Sequence, residues 1–563
     1  MRWTLKPIPE ASDISALKES LKVDDIIATL LLQRGISTYD KAKTFFRPQL
    51  EDLHDPFLMK DMDVAVSRIE KAIADNEPIL VYGDYDVDGT TAVALMASYL
   101  RTQTDLIATY IPDRYEEGYG ISFKGIDYAD DNGCSLIIAL DCGIKAIDKI
   151  AYAKEKGIDF IICDHHRPSK DLPDAIAVLD PKRDDCTYPY KELCGCGVGF
   201  KLIQALASKQ GQSVEDLVPY LDLVATAIGA DIVPITEENR ILAYYGLQVI
   251  NRNPREGFKA IMAEVKKDEL TITDVVFIIA PRINAAGRMK HGNHAVSLLM
   301  ETDFNIANEY AAEINQYNTD RRDADKRITE EALQLIEDLE EQDRYTTVVY
   351  DEHWHKGVIG IVASRLTETY YRPTLVFTKS GDVLAASARS VKGFDVYNAL
   401  EACSEHLEQF GGHKYAAGLT LKPENYDAFK KAFEDIVSKT IDPKLLTPEL
   451  NIDMKIRLNQ IDDRLMRILK QFAPFGPGNM TPVFYSERLK DTGYGKCVGD
   501  DGKHLKLTVT QTGADKIGAI GFNLGNKHPL SLNGKPIDAA YTIDENHWNG
   551  MVNLQLKLKD IKE

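Results

Sequence analysis

Three short apolar segments of this sequence each lead into acidic or histidine residues. The segments at 79–81, 136–140 and 160–163 are followed by Asp84-Tyr85-Asp86-Val87-Asp88, by Asp141 and by Asp164-His165-His166. Apolar runs this short, separated by helix-length segments, indicate strands of a parallel sheet built from βαβ units. Because ligand sites in such sheets lie at the carboxyl ends of the strands, we expect these polar groups to lie close together.

Two further strands are predicted at 106–111 and 176–179, and Asp231 follows the apolar segment 228–230 as a fourth acidic candidate. Several carboxylates at one place repel one another unless cations hold them together. A site of carboxylates with one or two imidazoles suits Mn²⁺ or Mg²⁺, whereas a thiolate site is typical of zinc. We therefore expect two divalent ions, which in such sites promote phosphoester hydrolysis.

Other interpretations of the same residues remain open at this point. An Asp-x-Asp-x-Asp-Gly run also begins a calcium loop, but the position that requires glutamate is Leu95. Asp141 alone could be a helix N-cap, and an isolated Asp-His-His is often a cap with a packed histidine. The Cys194-Gly-Cys196 pair has no second cysteine pair at zinc-site spacing, so we expect buried free thiols.

Composition limits the class of protein. A chain of 563 residues with 44% hydrophobic and 27% charged residues is expected to form three or four globular domains. The net charge of −20 argues against a protein that coats duplex DNA in general. Without an apolar run near ~20 residues or a signal-peptide core, and with eight scattered cysteines, we expect a cytoplasmic protein.

The remaining pattern predicts five parts. Residues 1–75 are expected to be helical, and 76–302 to form the parallel-sheet domain. Residues 303–342, without Gly or Pro, predict one long helix with a possible break near Asn318. A second α/β domain is predicted at 343–445, with strands at 346–350, 373–378 and 383–387. Alternating segments such as 505–509 and 552–556 predict a small β-rich domain or barrel at 446–563.

These motifs together resemble the DHH phosphoesterase superfamily. The first half carries Gly83-Asp-Tyr-Asp-Val-Asp-Gly89, Asp141-Cys-Gly143, Asp164-His-His166 and Gly229-Ala-Asp231. The second half carries Ser387-Ala-Arg-Ser390 and Gly411-Gly-His-Lys-Tyr-Ala-Ala-Gly418, which resemble the DHH-associated domain. With Arg282-Ile-Asn-Ala-Ala-Gly-Arg288 and Phe475-Gly-Pro-Gly-Asn479, nearly the whole chain is similar to the superfamily's bacterial exonucleases for single-stranded DNA.

The resemblance implies a fold and a metal site. The fold is α/β: a DHH parallel-sheet domain and a DHH-associated α/β domain joined by a long helix, followed by an oligonucleotide-binding (OB-like) domain. The implied metal ligands are Asp84, Asp86, Asp88, Asp141, His165 and Asp231, and direct ligation by Asp84 is left open. His166 is implied as a phosphate or water contact, Asp164 as the group that orients a histidine, and His413 as a contribution from the second domain.

The resemblance also implies a substrate path. Ser387 and Arg389 would hold a 5′-phosphate, because a guanidinium matches a phosphate bidentately. The remaining implied contacts are Arg282, Asn284 and Arg288, which we expect in a loop along the strand's backbone, together with Arg114 and Gly412. For any single arginine a surface ion pair is the alternative. Tyr115 and Tyr119 are expected either to stack on bases or to lie in the core.

The activity implied is a 5′→3′ exonuclease for single-stranded DNA that uses Mn²⁺ or Mg²⁺ and releases 5′-mononucleotides in DNA repair and recombination. Implied partners are single-stranded DNA, a single-strand-binding protein and a RecQ-type helicase, with a monomeric protein and no membrane. Two alternatives remain: a phosphoesterase for short oligonucleotides or small phosphoesters, and a DNA-binding scaffold without activity.

Overall fold

The structure is a computed structural model that describes residues 1–263, 265–548 and 550–563, without the side chain of residue 548. The chain forms two compact units. The larger comprises Trp3–Ala280, Val296–Ala307 and Leu450–Glu563, and the smaller comprises Met1–Arg2, Pro281–Ala295 and Asn308–Glu449. None of the described helices has the length and apolarity needed to cross a membrane.

The N-terminal region is helical after one short strand, as the sequence predicts. Its elements are β1 (Arg2–Leu5), α1 (Ala11–Leu21), α2 (Asp25–Leu32), α3 (Tyr39–Phe46) and α4 (Met62–Ala74). Helices α2 and α3 begin at side-chain caps, with Asp24 accepting a hydrogen bond from the Ile27 N–H and Thr38 from the Lys41 N–H. These caps satisfy N–H groups that the first helical turn leaves unpaired.

The parallel sheet predicted from the sequence is confirmed. Its region contains β2 (Ile79–Gly83), α5 (Val87–Leu100), β3 (Ile107–Tyr110), α6 (Phe123–Asp131), β4 (Leu136–Leu140), α7 (Ile147–Glu155), β5 (Asp159–Cys163) and β6 (Ala177–Leu179). The strand order is β3-β2-β4-β5-β6, with every pair parallel. Strands β2 and β4 are buried along their whole length, because both faces of a parallel sheet are covered.

A helical region follows the sheet. It contains α8 (Gly195–Lys209), α9 (Leu221–Ala230), α10 (Glu237–Arg252), α11 (Glu256–Met262), α12 (Ile272–Asp274), α13 (Ala280–Met289) and α14 (Asn293–Met300). The expectation of a loop at 282–288 was wrong, since these residues lie in α13. Alanine is the strongest helix former, and one interior glycine costs only about 1 kcal/mol, so Gly287 does not interrupt the helix.

The predicted long helix is a single element, α15 (Phe304–Asp338). It has no break at Asn318, which is buried and whose Oδ1 accepts a hydrogen bond from Arg321 Nη2 at 2.8 Å. Its second half buries Ile328, Ala332 and Ile336 at helical spacing. The buried stripe stabilises this half of the helix. Asn318 does not interrupt the helix, because its side chain finds a hydrogen-bond partner within it.

The smaller unit contains a mixed sheet. After α15 it has β7 (Thr347–Tyr350), α16 (Ile359–Tyr370), β8 (Thr374–Ser380), β9 (Val383–Arg389), α17 (Val396–Glu401), β10 (Gln409–His413), β11 (Ala416–Leu421) and α18 (Tyr426–Thr440). The order is β10-β11-β9-β8-β7, in which only β7 and β8 pair in parallel. His413 ends strand β10 and pairs with Ala416, and the turn between the two strands is Lys414-Tyr415.

The C-terminal region is a closed barrel. Its elements are β12 (Glu449–Ile452), β13 (Met454–Lys455), α19 (Asp463–Lys470), β14 (Phe484–Asp491), β15 (Lys496–Val498), β16 (His504–Thr510), β17 (Ile517–Gly521), β18 (Ile537–Trp548) and β19 (Met551–Lys562). The order β14-β18-β19-β17-β16 closes on itself because β14 also pairs with β16. The barrel interior shares one apolar core with α1, α2 and α3, where Phe45 lies 5.3 Å from Phe472.

Candidate metal centre

Strand register brings the predicted acidic groups together. Gly83 pairs with Leu140, and Leu140 pairs with Cys163, so the next residues of the three strands are neighbours at one edge of the sheet. These residues are Asp84, Asp141 and Asp164, and all three are buried. Asp141 has a φ of +60°, a backbone conformation that an aspartate tolerates better than a branched residue does. The clusters therefore converge as the sequence predicts.

Asp88 is held by the start of helix α8. The N–H groups of Gly195 and Cys196 each donate a hydrogen bond of 2.7 Å, to Oδ2 and Oδ1 of Asp88 respectively. A helix N-terminus favours a negative charge in this position. Cys194 and Cys196, which flank Gly195, are buried free thiols, as the sequence predicts. The missed signal is the run of glycines at 195, 197 and 199, which lets a helix start close to other backbone.

Gly195 also lies against a second acidic residue. A Cβ atom at this position would be 2.5 Å from Cβ of Asp141 and 2.7 Å from its Oδ1. Real Cβ atoms do not approach other atoms so closely, and the nearby atoms belong to a buried residue. The start of α8 thus fixes Asp88 through hydrogen bonds and Asp141 through direct packing.

His165 faces three carboxylates. Its Nε2 lies 3.2 Å from Oδ1 of Asp141, 3.6 Å from Oδ2 of Asp231 and 3.8 Å from Oδ2 of Asp88. Asp141, His165 and His166 form one set whose ligand atoms could hold an ion, and Asp88, His165 and Asp231 form another. Within the described chain, Nε2 of His165 and Oδ1 of Asp141 have no hydrogen-bond partner. Buried polar atoms are rarely left unpaired, so these atoms fit a bound cation.

Electrostatics support the same conclusion. Burial, followed by the charges of neighbouring carboxylates, raises the pKa of Asp88 and Asp141 well above the usual range. Burial and Asp86 raise the pKa of Asp231 to about 7, and burial lowers the pKa of His165 to about 3. Without cations the cluster resists full ionisation, whereas divalent ions would stabilise the ionised carboxylates and the neutral imidazole. The donor set of oxygen and nitrogen fits Mn²⁺ or Mg²⁺.

Asp164 holds His166 in place. Its Oδ1 accepts hydrogen bonds from the His165 N–H at 2.8 Å and the His166 N–H at 3.1 Å, and lies 2.8 Å from His166 Nδ1. Burial opposes ionisation of Asp164, but hydrogen bonds from His166 and backbone N–H groups lower its pKa to about 2. Burial likewise opposes a charged His166, but the hydrogen bond to Asp164 raises its pKa to about 8. His166 is therefore an oriented imidazole, and Asp164 acts through it.

Asp84 and Asp86 are at the same edge but outside the two candidate ligand sets. Asp86 caps α5, with its Oδ1 accepting a hydrogen bond from the Gly89 N–H at 3.1 Å. Asp84 Oδ1 accepts a long hydrogen bond of 3.5 Å from the Gly120 N–H. Burial and the charge of Asp86 raise the pKa of Asp84 well above its usual value. Ligation by these two residues stays a prediction.

A further buried carboxyl, Asp180, was missed in the sequence. It directly follows β6 at this edge, where Cys163 pairs with Leu179. Its Oδ1 accepts a hydrogen bond of 2.7 Å from the Lys182 N–H, and burial raises its pKa to about 7. The signal was present, because the strand at 176–179 was predicted and Asp180 is the next residue.

Aromatic residues border the metal centre. Arg114 lies over the ring of Tyr85, 3.9 Å from its centroid, and Tyr85 packs against Tyr119 with centroids 6.1 Å apart. The Tyr119 hydroxyl donates a hydrogen bond to the Asp141 carbonyl at 3.1 Å and lies 3.2 Å from His166 Nε2. Tyr119 is 53% exposed, so it is not a core residue.

In the smaller unit, Ser387 and Arg389 lie together on β9. Arg389 Nη1 donates hydrogen bonds to Ser387 Oγ at 3.0 Å and to the Ala388 carbonyl at 2.7 Å. A Cβ on Gly360, near the start of α16, would lie 2.9 Å from Ser387 Oγ and 3.1 Å from Arg389 Nη2. No carboxylate pairs with Arg389 in the described residues, and burial lowers its pKa. A guanidinium beside the N-terminus of a helix favours the binding of an anion.

The other predicted contacts of the smaller unit lie on two elements. Arg282 donates a hydrogen bond to Asn315 Oδ1 at 2.8 Å, and Arg288 donates one to the Gly357 carbonyl at 3.0 Å. Asn284 and Arg288, four residues apart, share one face of α13. His413 is exposed at the end of β10. The preceding Gly412 has a φ of +144°, and a Cβ on it would lie 2.4 Å from the carbonyl oxygen of Ala416. Their roles stay predictions.

Comparisons with known proteins agree with this geometry. Residues 78–228 match the DHH family N-terminal domain, residues 343–439 the DHHA1 domain and residues 452–560 the RecJ OB domain. A Bacillus subtilis protein named single-stranded-DNA-specific exonuclease RecJ is 36% identical, over 100% of this chain and 70% of the relative. The Salmonella typhimurium RecJ is 33% identical, over 89% of this chain and 90% of the relative.

Solved structures give the same result. The crystal structure of Thermus thermophilus RecJ in complex with Mn²⁺ matches with a TM-score of 0.86 and 26% identity, over 100% of this chain and 79% of that chain. The same protein in complex with Mg²⁺ matches with a TM-score of 0.80 and 25% identity. The sheet edge with its carboxylates and histidines, the full-length similarity and the three matched domains lead to one conclusion: this chain belongs to the RecJ family of the DHH phosphoesterase superfamily.

Proposed function

We propose that this protein is an exonuclease specific for single-stranded DNA, which hydrolyses phosphodiester bonds from the 5′ end and releases 5′-mononucleotides. The observation that carries the proposal is the group of unpaired ligand atoms on His165 and Asp141 beside Asp88 and Asp231. The relatives named above are single-stranded-DNA-specific exonucleases by name. The direction and the product are those that the family resemblance implies, with a role in DNA repair and recombination.

The chain's own residues have separable tasks in this reaction. Divalent ions, when bound, stabilise charge on the phosphate and lower the pKa of water. Asp88, Asp141, His165 and Asp231 would hold them, and the start of α8 orients Asp88. His166, held by Asp164 through Nδ1, would donate a hydrogen bond from Nε2 to a phosphate oxygen or a water molecule in place of the Tyr119 hydroxyl, which lies 3.2 Å away. We propose Asp86 as a further ligand of these ions, and Asp84 either as a ligand or as a carboxylate beside them.

The substrate contacts belong to the same proposal. Ser387 and Arg389 would bind the 5′-phosphate, because a hydroxyl, a guanidinium and a nearby helix start all favour a phosphate. Arg282, Asn284 and Arg288 on α13 would contact the strand's backbone. Arg114 over Tyr85 offers a charged group and an aromatic face beside the metal centre. Gly412 would allow the backbone to approach a phosphate of the strand closely, and His413 would contribute an imidazole to the site.

The proposal also assigns a role to the C-terminal barrel and a cellular setting to the protein. An OB barrel of five strands binds single strands through a groove and stacking platforms. We infer that the C-terminal barrel holds the strand away from the reaction centre. A monomeric protein in the bacterial cytoplasm, working with a single-strand-binding protein and a RecQ-type helicase, is the setting that fits. The domain boundaries at 75, 302, 342 and 445 are part of the proposal.

A labelled oligonucleotide tests the proposal. A single strand of about 40 nucleotides is labelled at the 5′ end in one reaction and at the 3′ end in another, and is incubated with Mn²⁺ beside a duplex control. We expect immediate release of a labelled mononucleotide from the 5′ label and a descending ladder from the 3′ label. Little cutting of the duplex is expected.

Three results would redirect the assignment. Cleavage of a dinucleotide under conditions that leave the 40-mer uncut would identify a phosphoesterase for short substrates. Binding of the 40-mer without turnover in Mn²⁺ or Mg²⁺ would identify a DNA-binding scaffold. A ladder from the 5′ label would reverse the direction of digestion.

A further inference from the structure

The motif Phe475-Gly-Pro-Gly-Asn479 forms a tight turn that the chemistry above does not use. It lies between α19 and β14, and Gly476 and Asn479 exchange backbone hydrogen bonds of 3.1 and 2.9 Å. Gly478 has a φ of +74°. Proline followed by a glycine with positive φ is the pattern of a type II turn. We refer to residues 476–479 as the glycine turn.

The glycine turn presses against a segment of the larger unit at 234–236. The Ile235 N–H donates a hydrogen bond of 2.7 Å to the Pro477 carbonyl. A Cβ on Gly476 would lie 2.5 Å from Ile235 Cγ1, and a Cβ on Gly478 would lie 2.9 Å from Cγ2 of Thr236. Both glycines are therefore required by close approach and not only by backbone conformation.

This segment is the direct continuation of Asp231. Asp231 follows the end of α9, and its N–H donates a hydrogen bond to the Ala227 carbonyl at 2.9 Å. Ile232 then adopts a φ of +60° with its side chain 67% exposed, which is a strained conformation for a β-branched residue. Such strain persists only where the surrounding structure holds it. The fixed point after Ile232 is Ile235, which is 1% exposed.

The glycine turn is locked from its other side by Asn479. This side chain is 2% exposed, and its Nδ2 donates hydrogen bonds to the Phe472 and Pro474 carbonyls at 2.8 and 2.9 Å. Its Oδ1 accepts a hydrogen bond of 2.9 Å from Arg34 Nε, and Arg34 Nη2 donates to the Met480 carbonyl at 2.8 Å. The turn therefore has little freedom to move away from the segment that it contacts.

Arg240 connects the two sides. It lies on α10, which begins directly after the 234–236 segment, and its guanidinium lies 3.9 Å from the ring centroid of Phe45. It donates hydrogen bonds to the carbonyls of Phe472 at 2.8 Å, Ala473 at 2.9 Å and Pro474 at 3.3 Å. Helix α10 is thus hydrogen-bonded to the residues before the glycine turn. The glycine turn is in turn hydrogen-bonded to the segment 234–236.

We propose that the glycine turn is a positioning element for Asp231. It fixes the far end of the strained connection, so that Asp231 stays beside His165 and Asp88 with its carboxylate ready for a divalent ion. Loss of the turn lowers the affinity for the ion more than it lowers the rate at saturating ion. The inference rests on the proposed function only in taking Asp231 as an ion ligand.

The test measures Mn²⁺ binding to the full chain in the absence of DNA, from the electron paramagnetic resonance signal of the free ion. Gly478→Ala puts a Cβ against Thr236, and we expect the dissociation constant to rise about 10-fold, the lower end of the effect of removing a ligand's support. The matched control is Gly513→Ala, since Gly513 has a φ of +81° and an added Cβ would meet nothing within 4 Å. We expect no change there. Cleavage by Gly478→Ala should recover as Mn²⁺ is raised.

A gentler variant protects the test against misfolding. Pro477→Ala keeps the carbonyl that Ile235 binds and only loosens the turn, so we expect a smaller weakening in the same direction. If Gly478→Ala folds by circular dichroism and binds Mn²⁺ as tightly as Gly513→Ala does, the proposal is overturned. If Gly478→Ala does not fold, unchanged binding by Pro477→Ala overturns it. Failure of the proposed function looks different, because the wild-type protein itself would then bind no Mn²⁺ or bind it without cutting DNA.

Discussion

His165 is the residue on which the metal centre converges. Its Nε2 lies within 4 Å of carboxylate oxygens from three separate parts of the chain, and burial lowers its pKa to about 3. An imidazole kept neutral in this way is ready to donate a lone pair to a metal ion. The carboxylates around it supply the negative charge that would bind a divalent ion.

Replacing His165 tests this assignment directly. We expect His165→Ala and Asp141→Ala each to lower exonuclease turnover by more than about 100-fold at saturating Mn²⁺, because each removes an ion ligand. His353→Ala is the control, since His353 is an exposed histidine of the smaller unit. Release of labelled mononucleotide is the measurement. Turnover near the wild-type rate in either ligand variant would show that these residues do not hold the ions.

Arg389 is a second residue whose environment allows a specific test. Its guanidinium packs beside Ser387 Oγ and the start of α16. We expect Arg389→Ala to weaken binding of a 5′-phosphorylated strand by about 10-fold or more, in line with 1.5–3 kcal/mol for a charge-assisted hydrogen bond. Binding of the same strand with a 5′-hydroxyl should change much less. Equal weakening for both strands in a fluorescence anisotropy titration would remove Arg389 from end recognition.

At the scale of elements, the start of helix α8 organises the centre. It donates two backbone hydrogen bonds to Asp88 and packs Gly195 against Asp141. Gly195→Ala forces a Cβ into a space already filled, so we expect activity to fall by more than about 100-fold, as for loss of a well-placed ligand. Gly197→Ala, two residues further along the same helix, is the matched control.

The control has a clear expected result. A Cβ on Gly197 would lie 3.5 Å from its nearest neighbours, which is ordinary contact. Alanine is favoured over glycine in a helix by about 1 kcal/mol, so Gly197→Ala should keep its activity and melt at the same or a slightly higher temperature. If both variants keep full activity in the exonuclease assay, the close packing of Gly195 on Asp141 has no role in the reaction.

Which elements the sequence predicts follows from how local their signals are. The strands ending at Gly83, Leu140 and Cys163 are short apolar runs bounded by polar residues, and their parallel register then brings the acidic residues together. Residues 282–288 were expected in a loop, because the Ala-Ala-Gly segment was interpreted without its helical neighbours. The role of α8 was missed, because the backbone N–H groups that hold Asp88 leave no side-chain pattern and the glycines at 195, 197 and 199 were not interpreted as a close helix start.

At the scale of the whole molecule, apolar burial joins the two ends of the chain. The N-terminal helices and the C-terminal barrel share one core, in which Phe45, Phe46 and Phe472 pack edge to face. This contact joins residues more than 400 positions apart, and no local pattern in the sequence indicates it. The alternating segments alone predicted a β-rich domain or barrel without deciding between the two, because closure requires the pairing of β14 with β16.

The concentration of acidic residues at one sheet edge also predicts a response of the whole protein to metal. Mn²⁺ binds the folded state alone and relieves the repulsion among buried carboxylates, so it must stabilise that state. At 100 times its dissociation constant it contributes about 2.7 kcal/mol, which corresponds to a rise of several degrees in the melting temperature of the larger unit. Differential scanning calorimetry with Mn²⁺ and with EDTA at equal ionic strength measures this. The rise should be much smaller in Asp141→Ala, and an equal rise in that variant would mean that Mn²⁺ stabilises the protein elsewhere.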